Sequence, residues 1–332
     1  MSAPSVTILI PARNEETDIA DALRAVLGQS YPLDEMEVVV VDGASDDRTA
    51  GIARELLSLS GIASWAVLEN PLGTTPTSLN IGLEAARGRI LCRIDARSRP
   101  RREYVEVCVD SLESRPDVIV VGGRQLSVAR DSSASASGIA RALNNRYSMG
   151  LSRYRRGAPS GPAETVYLGA FRTDELRRVG GWNEVFDTNQ DFELNRRMAA
   201  RGLVWFDERL VVEYIPRKDI RSLFRQYVRF GRWKVRYWRT TGDPPQPRQM
   251  AFLATLPIGL AVAAGAAAAG RRAVIALLLA GVTGAVVIEG AGSSGPDTSA
   301  IGRVHAVAAM GATSVGWLYG AWAELLKSRW AT

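Results

Sequence analysis

Two aspartates in this sequence stand where a carboxylate can do chemistry. Asp95 closes a short run in which Ile90, Leu91, Cys92 and Ile94 have the character of a buried strand, interrupted by Arg93. Ligands in open α/β sheets gather at the carboxyl ends of strands, so a carboxylate there can hold a cation or a sugar. The same residue type can also start a turn or cap the next helix. Asp191 follows Thr188, Asn189 and Gln190 and opens a helical pattern with Phe192, Leu194 and Met198 on its apolar stripe, ending at Gly202. An acid in or just before a first helical turn is a candidate base and equally an N-cap.

The elements that must position these residues are legible as a repeat. Residues 6–10 form an all-apolar strand, followed by Pro11-Ala12-Arg13-Asn14-Glu15-Glu16 and a helix carrying Ile19, Leu23, Val26 and Leu27. Residues 36–41 repeat the device, with Asp42 at the strand end and a helix carrying Ile52, Ala53, Leu56 and Leu57. Strands of this kind alternating with helices indicate parallel βαβ units covered on both faces. Further strands are expected at 63–68 and 118–122, and helices at 74–86 and about 102–114. Residues 128–162, rich in Ser, Ala, Arg and Gly, have no clean period. They read either as a mobile, substrate-facing region or as an ordinary surface excursion. A strand or buried turn at 166–171 and a short helix at 173–179 precede a tight Gly180-Gly181-Trp182-Asn183-Glu184 turn that presents an aromatic ring.

Charge is unevenly distributed. The 332 residues hold 41 Lys and Arg against 35 Asp and Glu, but 217–239 alone contains nine basic residues and one Asp. From Met250 the chain turns to Ala, Gly, Leu and Val, and a basic band beside an apolar block points to a membrane rather than to nucleic acid. Residues 221–238 pattern as an amphipathic helix with Leu223, Tyr227, Phe230, Trp233 and Tyr237 on the apolar side, suited to lie in the membrane interface. Three apolar stretches follow, at 250–269, 273–288 and 304–323; the first and third have the length of a membrane span. Arg271 and Arg272 between the first two argue weakly against a simple crossing, and a hairpin dipping in from one side would accommodate them. The single histidine, His305, suits helix packing or the headgroup level better than a metal site. Cys92 and Cys108 have neither metal nor disulfide spacing. The N-terminus lacks the basic start and apolar core of a signal peptide, which places the globular part in the cytoplasm. No Gly-x-Gly-x-x-Gly follows the first strand, which argues against a dinucleotide-dependent oxidoreductase.

Taken together, VTILIPARNEE, VVVVDGASDDRT, IDARS, LGAFR, GGWNE, NQDFEL and RQYVRFGRW resemble the family 2 glycosyltransferases. They are most similar to membrane-attached enzymes of the succinoglycan glucosyltransferase type. The resemblance implies an α/β, GT-A-type nucleotide-sugar-binding fold with a mostly parallel central sheet and C-terminal membrane helices. It implies a catalytic domain over 1–216, a basic interface helix and linker over 217–247, and a membrane domain with about three apolar helices over 248–332. Pro11, Arg13 and Glu15 would meet ribose and base, and Asp42 the imide N–H of the base. Asp95 corresponds to the first acid of an Asp-x-Asp motif that reaches the donor diphosphate through Mg²⁺ or Mn²⁺, and Asp191 to the catalytic base. Gln226 and Arg229 align with a Gln-x-x-Arg-Trp-like motif near the diphosphate, with Arg232 beside it and Phe230 replacing Trp. Gly169, Trp182 and Asn183 would line the acceptor side. Two departures stand out: the second motif acid is Arg97, and the Glu that usually precedes the base is Gln190. Arg97 would contact a phosphate directly or leave the metal shell to other groups.

The implied reaction is an inverting transfer from a nucleotide sugar, UDP favoured over GDP, to a lipid-linked saccharide at the cytoplasmic face of a bacterial-type plasma membrane. Membrane lipid is the other partner. Alternative readings are transfer to polyprenyl phosphate itself, or a non-catalytic membrane-bound nucleotide-binding partner.

Overall fold

A computed structural model describes residues 4–62, 64–147, 153–292 and 299–327. The chain divides into two compact units, one made of Met1–Leu126 with Leu151–Ile215, the other of Ser127–Gly150 with Pro216–Thr332. A stretch from mid-chain thus groups with the carboxyl-terminal residues.

The first unit begins with the anticipated repeat: β1 (Val6–Ala12), α1 (Ile19–Leu27), β2 (Met36–Asp42), α2 (Thr49–Leu59), β3 (Ser64–Glu69), α3 (Thr75–Ala85) and β4 (Ile90–Arg93). β5 (Ser98–Pro100), α4 (Tyr104–Glu113) and β6 (Val118–Ser127) follow. After α5 (Ala134–Asn144), which belongs to the other unit, come α6 (Arg153–Arg156), β7 (Gly161–Pro162), β8 (Tyr167–Arg172), α7 (Thr173–Arg178), α8 (Gln190–Ala199) and β9 (Leu203–Tyr214). The sheet order is β3-β2-β1-β4-β8-β6-β9-β5, with β7 on β9. β3, β2, β1 and β4 run parallel, and β8 is antiparallel to both β4 and β6. The sheet is therefore mixed: its parallel part is built around β1 and β2, whose residues are almost all buried, with the more open β3 at its edge. Period-two alternation sends Ile8, Ile10, Val38 and Val40 into one core, with Leu23 and Tyr104. Leu9, Val39 and Val41 enter the other, with Leu79, Phe171, Trp182 and Leu194. Parallel register sets Ala12 beside Asp42, so the ends of β1 and β2, with the loops that follow them, open side by side.

In the second unit, α5 occupies part of the stretch read as aperiodic. Ser133 caps it by accepting from the Ala136 N–H at 3.1 Å. The sequence hides this helix because its face is built of Ala, Gly and a few larger residues, which carry little periodic contrast. Asn145 Nδ2 donates to the Ile288 carbonyl at 3.1 Å, and Arg141 pairs with the buried Glu289. The other helices are α9 (Ile220–Thr241), α10 (Pro247–Ala269), α11 (Arg271–Gly292) and α12 (Ala300–Leu325).

Two of these, α10 and α11, are long and apolar enough to cross a membrane. At 23 and 22 residues each rises roughly 33–35 Å, against about 30 Å of hydrocarbon. They pack together across a break at Gly270 and leave Ile258, Leu260, Leu278 and Leu279 open. The apolar stretch at 304–323 behaves differently: α12 packs on α9 and α5, burying Ala306, Ala309, Leu318 and Ala321. The apolar side of α9, expected to meet lipid, meets α12 instead, and Leu223, Tyr227, Val235 and Tyr237 are buried. Small residues permit this approach. A Cβ on Gly316 would come within 2.9 Å of the Phe224 carbonyl oxygen.

Candidate active site

A buried arginine joins the two aspartates that the sequence singles out. Arg93 is the last residue of β4, and Asp95 follows two residues on, the period that sends side chains to one side of an extended chain, before the chain turns at 96–97. The Arg93 side chain is 4% exposed. A buried guanidinium requires paired acceptors. It donates through Nε to Asp95 Oδ1 at 2.8 Å and through Nη1 to Asp191 Oδ1. Burial alone would lower the Arg93 pKa, but Asp191 and then Asp95 more than offset this and hold it above its ordinary value.

This geometry bears on the N-cap reading of Asp191. The N-cap position of α8 is Asn189, in the left-handed region at φ 70°, with no cap bond from its side chain. Asp191 sits one residue inside the helix, and its carboxylate faces Arg93 rather than the helix N–H groups. Protein atoms crowd it, while 39% of its side chain stays open to solvent. That crowding raises its pKa above the usual carboxylate value. Arg93 pulls the other way, Asp95 adds to the rise, and the nearby Trp182 indole N–H, short of hydrogen-bond geometry, lowers it slightly. The Asp95 backbone carbonyl, not its side chain, holds the turn into β5, accepting from the Ser98 N–H at 2.8 Å.

Of the other expected residues of the first unit, Trp182 lies beside Asp191, and the rest are held by contacts of their own. Arg97 is tied to Glu15, whose two carboxylate oxygens accept from Arg97 Nε at 2.9 and 2.7 Å, with Asp18 Oδ2 at 3.9 Å. Partial burial lowers the Arg97 pKa, and the Glu15 carboxylate raises it by more. Asp42, 6% exposed, accepts from the Ser45 N–H at 3.1 Å and the Ser45 hydroxyl at 2.6 Å, and so shapes the loop after β2. Pro11 lies within β1. Arg13 leaves its end and donates to the Gly73 carbonyl at 3.0 Å. Trp182 is 1% exposed and packs edge-on against Phe171 at 5.7 Å. Its ring is core, and what it turns toward Asp191 is an unpartnered indole N–H. Asn183 accepts from the Val185 N–H at 3.0 Å within the same turn. Gln226, Arg229 and Arg232 lie on α9, in the other unit.

Sequence reasoning missed Arg93 and Tyr167. The Tyr167 hydroxyl shares a 2.8 Å hydrogen bond with Ser98 Oγ, its ring stacks on Tyr154, and burial followed by Asp95 raises its pKa. The next two residues, Leu168 at φ 63° and Gly169 at φ 89°, are both left-handed. For Leu this costs about 1–2 kcal/mol, a strain that clusters at functional sites. Gly169 is required, since a Cβ there would lie 2.7 Å from the Phe171 ring.

Among the described residues no three His, Cys, Asp or Glu side chains group to hold a metal. A divalent ion of the Mg²⁺ type needs only one or two carboxylates when substrate phosphates supply other ligands. Asp95 fits that role: its side chain is 34% exposed, and only Oδ1 is engaged by Arg93.

Residues 7–172 match the model of "Glycosyl transferase family 2". The chain is also 30% identical over 335 aligned residues to "Succinoglycan biosynthesis protein ExoA" of Rhizobium meliloti (strain 1021), covering 99% of this chain and 97% of that one. This chain belongs to glycosyl transferase family 2. The matched stretch of this glycosyltransferase takes in Asp42, Asp95 and Arg97; Asp191 lies beyond it, inside the span shared with the full-length relative. A second relative is the "Dolichyl N-acetyl-alpha-D-glucosaminyl phosphate 3-beta-D-2,3-diacetamido-2,3-dideoxy-beta-D-glucuronosyltransferase" of Methanococcus voltae. It is 23% identical, over 68% of this chain and 71% of that one. The GT-A-type fold is shared with the mannosyltransferase PcManGT of Pyrobaculum calidifontis, solved with GDP-Man and Mn²⁺. The two agree at TM-score 0.66 and 22% identity, over 98% of this chain and 88% of that one.

Proposed function

We propose that this family 2 enzyme transfers a sugar from a nucleotide diphosphate, UDP favoured over GDP, to a saccharide carried on a polyprenyl diphosphate. The catalytic unit lies at the cytoplasmic face of a bacterial-type plasma membrane, with α10 and α11 in the bilayer. The observation that carries the reading is the Asp95–Arg93–Asp191 arrangement. It fixes a carboxylate open to solvent beside a second one suited to a diphosphate-bound cation. Asp191 takes the proton of the acceptor hydroxyl as it attacks the anomeric carbon, worth about 10²- to 10⁴-fold in rate. A single displacement of this kind inverts the anomeric centre. A divalent ion, Mg²⁺ or Mn²⁺, held by Asp95 would neutralise charge on the departing diphosphate. Arg97, at the position of the second motif acid, has its charge met by Glu15, so the metal's remaining ligands come from the diphosphate rather than from a second carboxylate there. Asp42 retains lone pairs for the imide N–H of the base, Pro11 and Arg13 flank it, and Gly169, Trp182 and Asn183 form the acceptor side. Support for a lipid-linked acceptor comes from the membrane-type helices of the second unit and from the kind of substrate named for the dolichyl-linked relative.

The test is sugar transfer by the detergent-purified full chain across UDP- and GDP-sugars, with membrane lipid extract as acceptor and Mg²⁺, Mn²⁺ or EDTA present. One donor should be consumed, with loss on adding EDTA and in Asp95→Ala and Asp191→Asn, and proton NMR should show an inverted linkage. Turnover that survives Asp191→Asn, or a retained configuration, sinks the assignment of the base. If the product carries one sugar on polyprenyl phosphate, the acceptor reading fails while the base assignment stands.

A further inference from the structure

Not every arginine of this chain is paired. On α9, Arg225, Arg229, Arg232 and Arg236 follow at intervals of four, three and four, the spacing of one helical stripe. With Phe224, Val228 and Trp233, and with Tyr319 of α12, they line a groove of about 480 Å³. Arg236 is fixed there: its Nε donates to Glu324 at 3.0 Å and its guanidinium lies 4.8 Å from the Trp233 ring. Arg229 and Arg232 have no acid partner among the described residues, and Arg232 Nε is buried without an acceptor. Arg236 faces Glu324 and Arg225 interacts with Asp219, which leaves the like charges of Arg229 and Arg232 in mid-stripe to repel each other, and a ligand bearing several phosphate charges relieves that repulsion through charge-assisted hydrogen bonds.

One turn further along both helices the lining changes. Val235, Trp238, Leu253, Ala254, Trp322 and Leu325 line a cleft of about 600 Å³, to which Arg239 and Asp243 also contribute. Trp322 Nε1 spends its hydrogen bond on the Leu253 carbonyl at 3.1 Å, which leaves the wall largely apolar. The cationic groove and the apolar cleft therefore lie end to end along the α9–α12 seam, in the unit that also carries the membrane-type helices α10 and α11.

We infer that this seam binds the carrier lipid of the acceptor, its diphosphate in the arginine groove and its first isoprenoid units in the cleft. This rests on the lipid-linked acceptor proposed above. It also gives Arg229 and Arg232, aligned by resemblance with donor contacts, to the acceptor.

The experiment is direct binding to the purified full chain in uncharged detergent, without turnover. The probes are a polyprenyl diphosphate, the same chain length as the free alcohol, phosphatidylglycerol, inorganic diphosphate and UDP. Polyprenyl diphosphate should bind at least about tenfold tighter than the alcohol or phosphatidylglycerol and be displaced by excess inorganic diphosphate. The double variant Arg229→Gln/Arg232→Gln should lose about tenfold or more for polyprenyl diphosphate and inorganic diphosphate alike, with UDP affinity unchanged. Ala254→Phe, which fills the cleft, should weaken the lipid but not inorganic diphosphate. Equal affinity for phosphatidylglycerol would make the seam a general anionic-lipid contact and overturn the inference. So would a parallel loss of UDP affinity in the arginine variant, which would return these residues to the donor. Should the glutamine variant fail to fold, the wild-type selectivity and the Ala254→Phe comparison decide the matter. Because no sugar is transferred, tight and selective binding beside absent transfer would fault the proposed reaction and leave the lipid site standing.

Discussion

Arginine does opposite work in the two units. In the first, Arg93 and Arg97 are closed off by Asp95, Asp191 and Glu15, so each guanidinium is spent within the protein and fixes the direction of a carboxylate. In the second, Arg229 and Arg232 line a groove with no acid partner among the described residues. A paired cation organises its neighbours, whereas an unpaired one in a groove is available to a ligand. In the functional reading proposed above, the contrast separates residues that would shape the chemistry from those that would draw substrate toward it.

The strongest way to break that division is at the carboxylate itself. Asp191→Asn should lower kcat by about 10²- to 10⁴-fold with little change in donor affinity, read by transfer assays beside UDP binding. Replacing its partner comes next. Arg93→Met leaves two acids facing each other without a cation, and should cost about 3 kcal/mol in denaturant unfolding, the low end for a broken buried pair because both acids reach solvent. It should also move the acid limb of the pH–kcat/KM profile. Asp191 must be ionised to act, and its pKa already lies above the ordinary 3.8. Activity therefore falls as pH drops through that raised value. Removing Arg93, which holds it down, shifts the limb to still higher pH, and Arg93→Lys should bring it part of the way back. A merely structural arginine would change the amplitude and leave the limb in place.

In the second unit the comparison is sharpened by Gly316→Ala. Its Cβ meets the Phe224 carbonyl, a backbone atom that cannot rotate away. A loss of about 1–3 kcal/mol is expected, seen by thermal unfolding in detergent. The smallest effect belongs to Asn189. Since its side chain makes no cap bond, Asn189→Gly should stay within about 0.5 kcal/mol, and Asn189→Ala should cost about 1 kcal/mol for the left-handed backbone alone.

How far the sequence could be read follows from what each residue's neighbours had to be. β1 and β2 are almost wholly apolar and alternate with helical patterns, which a covered parallel strand accommodates, so Val6–Ala12 and Met36–Asp42, with the acid that ends the second, were legible. The antiparallel half was less so, because β5 and β7 are three and two residues long, too short to show alternation. Arg93 carried a signal that went unread: a charge inside a buried run demands an acid in space, and Asp95, two residues on, could only be half of the answer. α9 misled for a related reason. An amphipathic face calls for an apolar partner without saying whether that partner is lipid or another helix, and α12 met the requirement. Of the remaining site, Tyr167 offered no pattern at all, because what marks it is a contact with Ser98 sixty-nine residues away in sequence.

The place of α5 bears on how the chain is made. Its last residue, Asn144, leaves the ribosome about 180 residues before the end of α12, the helix against which it packs. At roughly 5–20 residues per second, that leaves its Ile139 and Leu143 face uncovered for about 10–40 s while α10 and α11 are still being synthesised. Until α12 follows them, the nascent chain keeps an unsatisfied helix in its middle, a handle for chaperones or proteases rather than a finished enzyme.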